Sequence, residues 1–304
     1  MDVHQAFVKG PTYSLYACPV ISNHRRRFDI RGSAGNMIAA ESFGLAGPGV
    51  IFLHGAGQTR RSWTAVAAAA AAAGSFSVNV DLRGHGDSEW APDRDYSYGA
   101  FVADLAAVVP TAGPRPVLVG ASLGGLAALL LEGERTPGTA GGLVLVDVSP
   151  RVQESGLARV REFMTAHRSG FATIEDAAMA IAVFKNEPLR DDTERLRGSL
   201  RQSNGRWFWH WDPAVIDPAN PVDVDERWQR LSAAARQVHV PVLFIRGGQS
   251  DLVDDAAEAD LVRLVPHAEI LHLPHEGHMI VGDTNAPGAT AILQFLDRLR
   301  GASA

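Results

Sequence analysis

Apolar runs of strand length alternate with longer alanine- and leucine-rich stretches through the first half of the chain. Residues 28–31 and 37–43 predict an opening hairpin. The runs at 50–54, 77–82, 117–120 and 143–148 are short and largely apolar, as strands buried within a sheet require. Between them, 62–73, 97–109 and 123–131 have helical length and composition, the first ending at Gly74. The alanines at 67–73 are the best helix formers and predict a helix packed closely on the sheet. Strands separated by helices imply right-handed crossovers and a mostly parallel sheet with helices on both faces. Such sheets take ligands at the carboxyl ends of their strands.

This alternation stops after Ser149-Pro150. From 151 to about 237 no run of the buried parallel type occurs. Amphipathic stretches at 157–167, 174–184, 193–202 and 225–235 predict helices around one aromatic cluster, Trp207-Phe208-Trp209-His210-Trp211. Strand-like sequence resumes at 241–246 and 268–273, and a last helix is expected over 289–299. The pattern divides the chain into an N-terminal extension (1–25), an α/β core (26–149 and 239–304) and an inserted helical cap (150–238).

Composition narrows the class of function. With 304 residues, 46% of them hydrophobic, the chain can bury a large core and still carry an insertion. A net charge of -6 lacks the clustered basic field that nucleic acid binding needs, and His24-Arg25-Arg26-Arg27 reads as a solvated segment. Cys18 is the sole cysteine, which excludes an internal disulfide and fits a cytoplasmic location. Asp2, His4 and Lys9 interrupt the first residues, so neither a signal peptide nor a membrane span is expected. The expected partner is a small molecule, bound by a monomer or homodimer.

The chemistry centres on Gly120-Ala121-Ser122-Leu123-Gly124, which closes one apolar run and opens a helical one. A G-x-S-x-G pentapeptide in that setting is a nucleophile elbow, whose tight turn lifts the serine hydroxyl out of the sheet. Serine needs a base, itself oriented by a third group. His278 follows the 268–273 run, and Asp251 follows the 241–246 run within Arg246-Gly247-Gly248-Gln249-Ser250-Asp251. Asp251 is the expected acid; Asp147, at the end of the 143–148 run, is its rival and is otherwise expected to cap the turn into the insertion. Oxyanion donors are expected at the backbone N–H groups of Leu123 and Ala56, within His54-Gly55-Ala56-Gly57. Gly55 lets the backbone approach a substrate, and Gln58 could add a side-chain donor. Trp207, Trp209 and His210 are candidates for an apolar wall over Ser122.

These motifs, with Asp81-Leu82-Arg83-Gly84-His85-Gly86-Asp87-Ser88 after the second buried run, resemble the α/β-hydrolase superfamily over about residues 27–300. Within it the chain is similar to capped esterases, C–C bond hydrolases and cofactor-free perhydrolases. The resemblance implies an eight-stranded type of sheet, no cofactor, and Ser122, Asp251 and His278 as a triad with Ala56 and Leu123 as the oxyanion hole. Serine at the elbow argues against epoxide hydrolases and haloalkane dehalogenases, which use aspartate there. A receptor with a vestigial triad is the alternative from a different class. His54, His85, Asp87, His272 and His275 read as structural, and His275-Glu276-Gly277-His278 lacks the helical spacing of a zinc site, so no catalytic metal is expected.

Overall fold

The computed structural model describes residues 24–135, 138–189, 193–216, 224–278 and 286–302. The extension expected at 1–25 therefore lies almost wholly outside the described residues. The core sheet has eight strands: β1 (Arg26–Arg31), β2 (Met37–Phe43), β3 (Gly49–Leu53), β4 (Phe76–Val80), β5 (Val117–Ala121), β6 (Gly142–Val146), β9 (Val242–Gly247) and β10 (Glu269–Leu273). Their spatial order is β1-β2-β4-β3-β5-β6-β9-β10. β1 and β2 form the expected antiparallel hairpin, β2 pairs antiparallel with β4, and every pairing from β4 to β10 is parallel.

The central strands are apolar because both of their faces are covered. Every residue of β3, β5 and β6 is buried. On one face lie α1 (Thr64–Ala72) and α8 (Ala286–Ala302), with Ala67 and Ala70 fully buried against the sheet, as the alanine run predicts. On the other lie α2 (Tyr98–Val108), α3 (Leu123–Glu134), α6 (Val224–Arg236) and α7 (Asp255–Leu264). Ser97 caps α2 by accepting from the Ala100 N–H, the role expected of a serine ahead of an apolar helix.

The insertion follows β6 and holds α4 (Glu154–Thr165), α5 (Ile174–Lys185) and a small hairpin of β7 (Leu200–Ser203) and β8 (Arg206–Trp209). It differs from the all-helical cap in two ways. The aromatic cluster is partly a strand, with Trp207 and Trp209 of β8 packed in the apolar cluster shared with α4 and α5. The helix expected at 225–235 does not belong with the cap: Leu231, Ala234 and Ala235 of α6 are buried in the main core, and α6 packs on α3. No helix among the described residues is long and apolar enough to cross a membrane.

Candidate active site

Ser122 sits between β5 and α3 with φ 45° and ψ -117°, a conformation that side chains rarely adopt. Small neighbours make the turn possible. A Cβ at Gly120 would lie 2.5 Å from the Gly125 nitrogen, and one at Gly124 would lie 2.6 Å from the Leu53 carbonyl oxygen. The Ser122 N–H donates to the Val146 carbonyl at 3.2 Å, tying the elbow to the end of β6.

At that end the carboxylate beside His278 belongs to Asp147 and not to Asp251, the acid expected there. His278 Nδ1 lies 2.6 Å from Asp147 Oδ2, with the Asp147 side chain 1% exposed. Asp147 has φ 48°, a bend that turns its carboxylate along the sheet edge toward the loop after β10. The same carboxylate accepts from the Ser250 hydroxyl at 2.6 Å and from the Gly247 N–H at 3.1 Å. Asp251 is drawn away: its carboxylate pairs with Arg159 of α4 at 2.6 Å and is one-third exposed. The loop after β9 thus delivers a hydroxyl, Ser250, to the histidine's partner and sends its acid to the cap. An aspartate follows each of β6 and β9, and no sequence signal reports the positive φ that decides between them.

The loop after β3 lies against the elbow, since a Cβ at Gly55 would come within 3.3 Å of Ser122 Cβ. Gly124 N–H donates to the His54 carbonyl at 3.2 Å, so α3 begins on this loop. Leu123 is the first residue of α3, where helix geometry supplies no acceptor for the backbone N–H. The Gln58 carboxamide closes the loop: its Oε1 accepts from Gly55 N–H at 3.0 Å, and the Gln58 N–H returns to the Gly55 carbonyl at 3.1 Å. That bond makes Gln58 a brace for the loop.

A model of the alpha/beta hydrolase family matches residues 50–291. The chain belongs to that family. It is 33% identical over 259 residues to an esterase of Mycobacterium tuberculosis, covering 81% of this chain and 82% of the relative. It is 30% identical to an sn-1-specific diacylglycerol lipase of Mus musculus, over 82% of this chain and 81% of the relative. A solved structure of the M. tuberculosis esterase superposes with a TM-score of 0.69 at 26% identity, covering 98% of this chain and 96% of that one.

In this hydrolase the cap reaches the loop after β3 through His210, whose Nε2 lies 3.4 Å from the Gly57 carbonyl oxygen, and through Trp211 and Met164. Trp209 is buried, stacks on Trp211 with centroids 4.9 Å apart and meets Phe171 edge-on. Trp207 pairs with Phe171 across the backbone and lies under Arg197. Both pack in the apolar cluster of the cap, where large aromatic rings supply much of the buried surface. Trp211 and Met164 stand at 3.5 and 3.7 Å from where a Gly57 Cβ would be. His210 is buried with His54 and His85, ring centroids 5.2 Å apart for His54–His85 and 5.9 Å for His85–His210. Burial pushes His54 down to about 4, His85 down to about 3 and His210 well below 6.5, so all three imidazoles are neutral near pH 7. Asp87 pairs with Arg60 at 2.7 Å and His272 with Glu258 at 2.6 Å, the structural roles the sequence suggests for them.

Proposed function

We propose that this hydrolase cleaves small, largely apolar carboxylic esters or lactones through an acyl-enzyme on Ser122. The observation that carries the reading is the 2.6 Å contact of His278 Nδ1 with the buried Asp147 carboxylate, on the sheet edge where Ser122 stands strained at the head of α3. The carboxylate fixes the histidine tautomer, leaving Nε2 as the base. Nε2 takes the Ser122 proton as Oγ attacks the ester carbonyl; the N–H groups of Ala56 and Leu123 receive the negative oxygen. The tetrahedral adduct expels the alcohol, which leaves with the proton held on His278. Water then attacks the acyl-enzyme by the same route and releases the carboxylic acid.

Trp211 and Met164 support an apolar substrate, since both stand over the oxyanion loop. Kinship with an esterase and a lipase supports ester chemistry. The test is turnover of aryl esters with stoichiometric labelling of Ser122 by a phosphonate ester. Ser122→Ala, folded, should lose roughly 10³-fold or more in kcat. Retained turnover by that variant would overturn the mechanism, and failure to release free carboxylate from simple aryl esters would favour C–C bond hydrolysis.

A further inference from the structure

We infer that His210, a cap residue, is a positioning residue for the oxyanion hole, aiming the Ala56 N–H through two peptide units of the loop after β3. This rests on the ester-hydrolase reading above. Gly86 N–H donates to His210 Nδ1 at 2.6 Å, which leaves the ring proton on Nε2. Nε2 faces the Gly57 carbonyl at 3.4 Å. In a trans peptide the carbonyl and the following N–H point in opposite directions. Holding the Gly57 carbonyl therefore directs the Gln58 N–H of the same unit, which donates to the Gly55 carbonyl at 3.1 Å. That second carbonyl belongs to the unit whose N–H is Ala56. Fixing it on the inner side turns the Ala56 N–H outward.

His54 completes the arrangement from the core side. Its Nε2 accepts from Leu82 N–H at 2.9 Å, so Nδ1 carries the proton and donates to the Gly55 carbonyl at 2.8 Å. Two neutral imidazoles, one from each layer, thus hold the carbonyls on either side of Ala56, and both tautomers are set by N–H groups of the turn after β4. His210 cannot drift from this position easily. Asp212 N–H donates to the Gly84 carbonyl at 2.8 Å, Tyr96 donates to Asp212 at 2.6 Å, and Trp90 Nε1 donates to the His210 carbonyl at 3.4 Å. Ala56 itself packs on the apolar cluster of the cap.

The test compares His210→Phe, which keeps a ring and loses both nitrogens, with His210→Gln, which restores one donor and one acceptor. Aryl ester kinetics are read beside inhibition by a trifluoromethyl ketone, whose adduct with serine carries the negative oxygen. His210→Phe should lower kcat about 10-fold or more, less than outright loss of an oxyanion donor, which costs about 10²–10³. Its KM should stay within about threefold, and ketone affinity should fall in step with kcat. His210→Gln should recover most of both. A wild-type kcat in His210→Phe, a loss confined to KM, unchanged ketone affinity, or no recovery in His210→Gln would each overturn the inference. Should His210→Phe fail to fold, His210→Asn, too short to reach Gly57, takes its place with the same expected losses. Absence of wild-type turnover and of Ser122 labelling would instead overturn the ester-hydrolase reading.

Discussion

Ser250 donates its hydroxyl to the same Asp147 oxygen that receives His278, at 2.6 Å in each case. Ser250 Oγ also accepts from the N–H groups of Leu252 at 3.2 Å and Val253 at 3.1 Å, so its single proton is committed to the carboxylate. Ser250→Ala should therefore loosen Asp147 without removing a group that touches substrate. The expected outcome is a kcat lowered about 5- to 20-fold at nearly constant KM, with partial recovery in Ser250→Thr, as for loss of one hydrogen bond to a charged group. Equal activity of wild type and Ser250→Ala in steady-state ester hydrolysis would show that the hydroxyl is dispensable.

Replacing each aspartate by asparagine separates the two candidate acids. Asp147→Asn keeps shape and loses charge beside His278, and should cost at least about 10²-fold in kcat. Asp251→Asn breaks the ion pair with Arg159 at a partly exposed site, where such pairs contribute about 0–1 kcal/mol. Its kcat should remain within about threefold of wild type. The opposite ranking in stopped assays of the two purified variants would return the acid to the loop after β9.

Met164 and Trp211 should set acyl preference. Met164→Ala opens space beside Gly57 and is expected to raise kcat/KM for longer or branched acyl groups relative to acetyl, by about 5-fold or more. Trp207→Ala, which removes a ring packed against the cap cluster, should lower the melting temperature and leave that ranking alone. A panel of p-nitrophenyl esters distinguishes the two outcomes.

The buried histidines give stability a defined pH dependence. In the unfolded chain an imidazole binds its proton near pH 6.5, whereas in the fold burial holds His54 at about 4 and His85 at about 3. As pH falls from 6.5 toward 4 the unfolded state takes up protons that the folded state refuses, so stability drops by about 1.4 kcal/mol per pH unit for each fully titrating histidine. His85→Leu should flatten the slope by about one proton over pH 4–5.5, whatever its effect on absolute stability. Urea unfolding at several pH values measures this, and parallel slopes for variant and wild type would refute it.

The sheet and its order of elements were legible because burial on both faces leaves near-continuous apolar runs at β3, β5 and β6. The elbow was legible because Gly120 and Gly124 are forced by close approach of backbone. What escaped the sequence depended on direction. Nothing in a list of residues says that Asp147 has φ 48° while Asp251 turns to Arg159. Likewise the amphipathic 225–235 segment has the same pattern whether it covers a cap or the main core, and only its packing on α3 decides.

The seam formed by His210 and Asp212 on the turn after β4 also bears on which part of the cap can open. A cap riveted to the core there cannot lift away as a separate body without breaking those hydrogen bonds. The solvent-facing side of the cap lies instead on α5, where Met179 and Val183 are exposed. Local opening should therefore begin at α5 before it reaches the seam, so amide exchange is expected to be fast along α5 and slow from 210 to 212.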